Sequence, residues 1–314
     1  MMKMTNDSIG IDVSKDNLDV YRLSDGRAAR FANAAAGFRD LARRLGTDMP
    51  TRVVYEATGP YHAGIEKRFA GTLPLCKVNP LQARRFAQSK GTRAKTDAVD
   101  ARMLAEMGAA FGLVADRPID QNQRDLKELQ VTRMALVKGR TRLMNRLKTL
   151  TLAFTKRQAN ARLNQITEQL AALEAEIQAR PKACPERAQA SEILRSIPGI
   201  GAVSAAAILI ECPEIGTMTA KQIASLAGLA PMARQSGNWR GKAFIQGGRK
   251  HLRDALYMPA LVAARFNPDL KAKYQAMIAA GKPPKVALTA LMRKLIELAN
   301  TLIHANRKWR PKAA

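Results

Sequence analysis

Residues 8–23, SIGIDVSKDNLDVYRL, decide the fold. SIGIDV (8–13) and LDVYRL (18–23) read as two strands joined by the polar turn Ser14–Asn17. Residues 52–57, RVVYEA, read as a buried strand, and 73–78, LPLCKV, as another. Helical patterns lie between them, at 37–45 (GFRDLARRL) and 61–70 (YHAGIEKRFA). A hairpin followed by helices alternating with strands indicates a mixed α/β layer structure. Two acids sit on these strands, Asp12 in GIDV and Glu56 in VVYEATG.

The next stretch, GTRAKTDAVDARMLAEM (91–107), is rich in cations but carries Asp97 and Asp100 three residues apart. From Ala98 onward its apolar residues (Val99, Met103, Leu104, Met107) recur at helical spacing. Side chains at i and i+3 of a helix lie roughly 5–6 Å apart, so both carboxylates share a face. Taken singly, each acid has an ordinary explanation. A strand-end Asp is a turn or cap residue, and a DxxD helix face is solvated surface. Taken together, with neighbouring strands and the helix at their ends, four carboxylates converge. Two unit charges about 4 Å apart repel by about 4 kcal/mol at an effective dielectric near 20. Divalent cations remove the conflict, and hard oxygen ligands suit Mg²⁺ or Mn²⁺. Two such ions clamp the attacking and leaving oxygens of a phosphodiester. Arg84, Arg85, Lys90, Arg93 and Lys95 surround this set and would hold a nucleic-acid backbone against it.

Charge supports that direction. The 314 residues carry 52 Lys+Arg against 26 Asp+Glu, a net charge of +26. Self-repulsion of that size disfavours a compact monomer unless a polyanion relieves it, and nucleic acid is the leading candidate. No apolar run is long enough to span a bilayer. The N-terminus, MMKMTNDSIG, has no signal-peptide apolar core, so a cytoplasmic protein is expected. Cys76, Cys184 and Cys212 are odd in number, without a CxxC, and His62, His251 and His304 are scattered. A structural zinc site or a disulfide framework is not expected from such spacing.

Near residue 120 the pattern changes. Leu129, Leu136, Leu143 and Leu150 repeat every seven residues, with Leu126, Leu147 and Phe154 partly filling a second seam. A second run follows in Leu163, Ile166, Leu170, Leu173 and Ile177. Two long helices forming an antiparallel coiled coil fit this spacing. The first is strongly basic and the second more acidic. That fits a solvated hairpin with complementary charges, or an arm that dimerises or grips nucleic acid. ARPKACPERAQ (179–189) reads as a linker, and a mostly helical region from 191 ends in a long helix at roughly 284–306.

In that region SIPGIGAVSAAAIL (196–209) reads as a helix end, a glycine turn and a small-residue helix. Gly199 and Gly201 can let backbone N–H groups point at a phosphate, a helix-hairpin-helix-like signature. A plain αα turn with close packing fits equally. From Arg234 to Arg253 there is no acid but six Lys/Arg: Arg234, Arg240, Lys242, Arg249, Lys250 and Arg253. The last three fall at the start of a helix after Gly247–Gly248, where cations oppose the macrodipole and an arriving phosphate relieves both. Ser236 stands beside Gly237 in a loop that a phosphodiester can approach; an isolated Ser–Gly is otherwise an ordinary turn.

IGIDVSKDNLDV, VVYEATGPYH and VNPLQARRFAQSKGTRAKTDAVDARMLA resemble the RuvC-like DEDD domain of the transposases of insertion-sequence family one-ten, the bridge recombinases. ARQSGNWRGKAFIQGGRKHLRDALYMPAL is similar to the C-terminal transposase domain of the same family. The resemblance implies an RNase H-like fold over 1–120, a coiled-coil arm over 121–190 and a transposase domain over 191–314. It implies Asp12, Glu56, Asp97 and Asp100 as the metal-binding set, with Ser236 as the nucleophile that joins DNA covalently. It further implies a structured guide RNA and, since recombination joins four DNA ends, a homodimer or homotetramer. Three other readings remain at this level. They are a junction-resolvase-type nuclease with an inert Ser236, an actin-like sugar kinase, and a non-catalytic nucleic-acid-binding protein. The kinase lacks further glycine-rich phosphate loops.

Overall fold

A computed structural model describes residues 7–46, 49–57, 59–91, 96–118, 120–180 and 184–311. Alternation along β1 (Ser8–Val13) sends Ile9, Ile11 and Val13 to one face and Ser8, Gly10 and Asp12 to the other. β1 pairs antiparallel with β2 (Asn17–Arg22), which pairs antiparallel with β3 (Ala28–Ala32). On its other side β1 pairs parallel with β4 (Arg52–Glu56), and β4 with β5 (Leu75–Val78). The sheet order is β3-β2-β1-β4-β5.

One face packs on α1 (Ala35–Leu45) and α2 (Ala63–Phe69). There Ile9, Ile11, Val13, Val53 and Tyr55 meet Phe38, Leu41, Ile65 and Phe69. The other face packs on α4 (Asp97–Phe111), through Val54, Cys76 and Val78 against Leu104 and Met107. α3 (Pro80–Ser89) lies beside α4, with Pro80 at its first position and the Asn79 side chain accepting from the Leu81 amide. The expected strands and helices are present. β3 is an addition: AARFA is poor in β-branched residues, alternates exposed and half-buried, and borders the sheet.

The chain divides into two compact units ahead of Asp120. The second unit opens with two 27-residue helices, α5 (Gln121–Leu147) and α6 (Ala153–Ala179), which pack on each other. Ile166, Leu170 and Ile177 are buried, whereas Leu129, Leu136 and Leu143 are half-buried, because a two-helix hairpin covers only one side of each seam. Two expected seam residues stand elsewhere. Leu150 lies in the connection, and Phe154, in the first turn of α6, is 61% exposed. The hairpin base joins the C-terminal helices, with Leu126 and Ile177 packing on Ala206 and Ile210.

α7 (Pro185–Ser196) takes up the last five residues of the stretch expected as a linker, since proline at a first helical position starts a helix rather than breaking one. α8 (Ala202–Glu211) and α9 (Ala220–Leu226) follow. The strand pairs β6 (Pro231–Met232) with β9 (Phe244–Ile245), and β7 (Gln235–Ser236) with β8 (Trp239–Arg240), come next. α10 (Lys250–Phe266), α11 (Pro268–Ala279) and α12 (Pro284–His304) complete the unit. Its core sets Leu252, Leu256, Ala260 and Ala263 against Leu291, Leu295, Ile296 and Ala299. Among the described residues no helix is long and apolar enough to cross a membrane.

Candidate active site

The acids are brought together by strand alternation and two glycines. Asp12 and Glu56 each follow the parallel pair Ile11–Tyr55, so they stand side by side at the strand ends. Both belong to the face covered by α4. That helix crosses β1 at Gly10, where a Cβ would overlap the carbonyl oxygen of Ala101 and lie 2.5 Å from the Ala105 amide nitrogen. Further along, a Cβ on Gly108 would sit 2.5 Å from Val54 and 2.7 Å from the Ser8 hydroxyl. The helix therefore runs antiparallel to β1, and its N-terminal turn, with Asp97 and Asp100, lies at the Asp12 end. Thr96 caps that turn by accepting from the Val99 amide. Acids in the first turn of a helix are also favoured by its macrodipole, so helix stability and site chemistry ask for the same residues.

The electrostatics of Asp12 follow from this placement. The Asp12 carboxyl is pushed up to about 6, by burial first and then by Asp100, Asp97, Glu56 and Asp19. Asp19 lies directly across from Asp12 on β2, and Arg30 lies directly across from Asp19 on β3. Arg30 donates to Asp19 at 2.9 Å and to Asp97 at 3.2 Å. Asp97 is thereby drawn toward the β3 side. Among the described residues no three Asp, Glu, His or Cys side chains enclose an ion position as they stand. Neither Asp19 nor Arg30 was expected from the sequence. Asp19 was detectable, because Leu18 and Val20 face the α1–α2 core and so turn it the other way. Arg30 was not, because β3 has no strand signature.

Arg84 and Arg85 are exposed on α3. Lys90 is held by Glu106, while Arg93 and Lys95 lie outside the described residues.

In the second unit Ser236 is exposed on β7, and Gly237 in the turn has φ +55°. Arg234, Arg240 and Lys242 are exposed around it, with the Arg234 guanidinium 4.6 Å above the Phe244 ring. Among the described residues no histidine or carboxylate hydrogen-bonds Ser236. The cations at the start of α10 separate into two kinds. Lys250 is exposed and pairs with Asp254. Arg249 is clamped by both oxygens of Glu214 at 2.7 Å and also donates to the Glu211 carbonyl. Arg253 donates to the Gly247 and Ala227 carbonyls. These two arginines have donors committed to the fold. The turn before α8 divides similarly. Gly199, at φ +111°, packs on α10, where a Cβ would lie 2.6 Å from the Pro259 carbonyl. Gly201, at the helix N-terminus, opens onto free space.

A DEDD transposase model of the IS110 type matches residues 9–156, and the model of the IS116/IS110/IS902 transposase family matches 191–275. Over 98% of both chains the sequence is 30% identical to the pilin gene-inverting protein of Moraxella bovis. The chain belongs to the IS110 transposase family. The transposase is equally similar to the pilin gene-inverting protein of Moraxella lacunata, 30% identical over 98% of both chains. To an insertion element IS110 protein of Streptomyces coelicolor it is 35% identical over 43% of its length and 33% of that protein's. The matched DEDD domain implies a RuvC-like fold for the N-terminal unit and divalent-metal use by an enzyme that acts on DNA. The residues of the transposase fit such an ion. Beside its burial, Asp12 has four carboxylates as charged neighbours, Asp100, Asp97, Glu56 and Asp19, and these are the hard oxygen donors such an ion takes.

Proposed function

We propose that this transposase cuts and rejoins DNA strands of an insertion sequence, using Asp12, Glu56, Asp97 and Asp100 to hold Mg²⁺ or Mn²⁺ and Ser236 as the nucleophile. The observation that carries the reading is the placement of Asp12 and Glu56 at adjacent strand ends under the N-terminal turn of α4, which carries Asp97 and Asp100. Bound ions would supply Lewis-acid stabilisation of the reacting phosphodiester. Asp12 and Glu56 are fixed by the sheet, whereas Asp97 must leave Arg30 to join them. Ser236 Oγ forms a bond to phosphorus as one bridging P–O bond of the DNA breaks. The hydroxyl proton passes to a base, and the leaving oxygen takes up a proton. A serine is a weak nucleophile until a base takes its proton. Arg234, Arg240 and Lys242, exposed and near Ser236 in the chain, would offset charge on the phosphorane. A DNA-strand hydroxyl then attacks the serine ester, which restores Oγ and joins the strands.

Backbone contacts are assigned to the exposed cations Arg84, Arg85, Lys242 and Lys250 and to the amide end of α8 at Gly201. In this reading the Gly199–Gly201 turn works as a helix-hairpin-helix-like element, and α5–α6 is a coiled-coil arm. The protein works as a homodimer or homotetramer in the bacterial cytoplasm, at the nucleoid. A structured RNA from the element guides it, which a net charge of +26 accommodates. Sequencing the RNA that copurifies tests the guide. Random cellular RNA alone would remove that part of the reading.

Ser236→Ala tests the nucleophile. Loss of the covalent protein–DNA adduct is expected, with metal-dependent DNA binding intact. The absence of a hydrogen-bonded base at Ser236 among the described residues favours a second reading, a metal-dependent nuclease in which water attacks. Under that reading Ser236→Ala leaves strand cleavage unchanged and the wild type forms no adduct.

A further inference from the structure

We propose that Trp239 is a stacking platform for a nucleobase of the DNA strand whose phosphate lies at Ser236. The proposal deepens the reading of Ser236 as the nucleophile and rests on it for the position of that phosphate. Ser236 and Trp239 are direct partners across the β7–β8 ribbon. Opposed residues of an antiparallel pair project to the same side, with Cβ atoms about 4.5–5.5 Å apart. Hydroxyl and indole thus share one face of the hairpin. Phosphate and base of one nucleotide are separated by a single sugar, a span the two side chains can bracket.

Three observations make this more than one stray exposed aromatic. Trp239 is 60% exposed, while the chain's other tryptophan, Trp309, packs against the C-terminal core. Its ring is also held in place. A Cβ on Gly241 would lie 2.4 Å from the indole Cη2 and 2.8 Å from Cζ3, so the ring lies directly against the Gly241 backbone. Gly241 is itself pinned by its amide, which donates to the Arg234 carbonyl at 2.9 Å. One side of the indole is therefore supported and the rest is open, which reduces the ordering cost of binding. Finally, the surroundings select the occupant. Arg240 and Lys242 are exposed neighbours of Trp239 in the chain, and no acid occurs from Arg234 to Arg253. An apolar plane in a stretch rich in exposed cations suits a base attached to its phosphate, since every base has a π-face.

The experiment titrates the full-length protein with a short single-stranded DNA oligonucleotide and follows tryptophan fluorescence. The signal of Trp239 is the difference between wild type and Trp239→Phe. Quenching of that signal on binding is expected, and an oligonucleotide of abasic sites is expected to bind without it. Trp239→Ala should weaken single-stranded DNA binding about tenfold, with Trp239→Phe recovering most of the loss. Circular dichroism confirms that both variants fold, and the Phe variant alone suffices if the Ala variant does not. Ser236→Ala should quench as the wild type does, which separates stacking from chemistry. If an adduct forms on Ser236 but the Trp239 signal is unchanged by bound DNA, the stacking proposal is overturned and the nucleophile stands. If quenching persists and no adduct ever forms, the nucleophile reading fails and the stacking surface remains.

Discussion

Replacing Asp12 by Asn should make the metal-free protein more stable while abolishing its response to metal. The Asp12 carboxyl is pushed up to about 6 from 3.8, so its ionised form is disfavoured in the folded state. A shift of that size is nominally ~3 kcal/mol, and solvent reaching the half-buried group reduces it to ~1–2 kcal/mol. The sign follows from linkage. The folded state binds the proton more tightly than the unfolded chain, so folding is not penalised below the unfolded value. The penalty grows as pH rises through about 6 and is complete above it. Asn carries no charge at any pH and escapes the penalty. In chelator at pH 8 the variant should melt roughly 5 °C above wild type, a difference that vanishes near pH 4. Excess Mg²⁺ should raise the wild-type melting temperature and leave the variant unmoved. Equal melting in chelator at pH 8, or a lower value for the variant, would refute the convergence of carboxylates around Asp12.

Gly10→Ala places a Cβ on the carbonyl of Ala101, which no side-chain rotation can relieve. A loss of about 3 kcal/mol is expected in denaturant titration, with metal binding weakened because α4 carries Asp97 and Asp100. Lys127→Ala leaves Glu211, whose side chain is 3% exposed, without its ion-pair partner. A loss of about 3 kcal/mol in the C-terminal unit is expected, and an unchanged midpoint would show that the hairpin base is not fixed there. Affinity for DNA should fall by about 10³-fold or more between 50 and 200 mM salt, as several phosphates are contacted at once. A flat salt dependence in a filter-binding or anisotropy assay would contradict the basic surfaces as the docking face.

The N-terminal unit was legible because its signals are local and periodic. SIGIDV alternates and RVVYE is a buried apolar run, both readable as strands, while the parallel register that pairs Ile11 with Tyr55 sets Asp12 beside Glu56. The helical spacing after Ala98 places Asp97 and Asp100 in one turn. What brings the turn to the strands is less visible, because Gly10 and Gly108 declare themselves only when helix and sheet meet. Arg30 was hidden because Ala28–Ala32 is an edge strand stabilised by pairing rather than by its own residues. In the C-terminal unit the cations of 249–253 look alike in sequence, but their partners differ. Glu214, which takes the Arg249 guanidinium, lies 35 residues away in the chain. The heptad pattern likewise runs on through Leu150 and Phe154, while the chain turns between Leu147 and Ala153.

Crystals of the protein grown with Mn²⁺ and measured at the manganese absorption edge would locate the ion directly. An anomalous-difference peak between Asp12, Glu56, Asp97 and Asp100 is expected, with Asp97 turned away from Arg30. Strong peaks at other sites, with the Arg30–Asp97 pair intact and no ion at these four residues, would contradict a metal-dependent centre here.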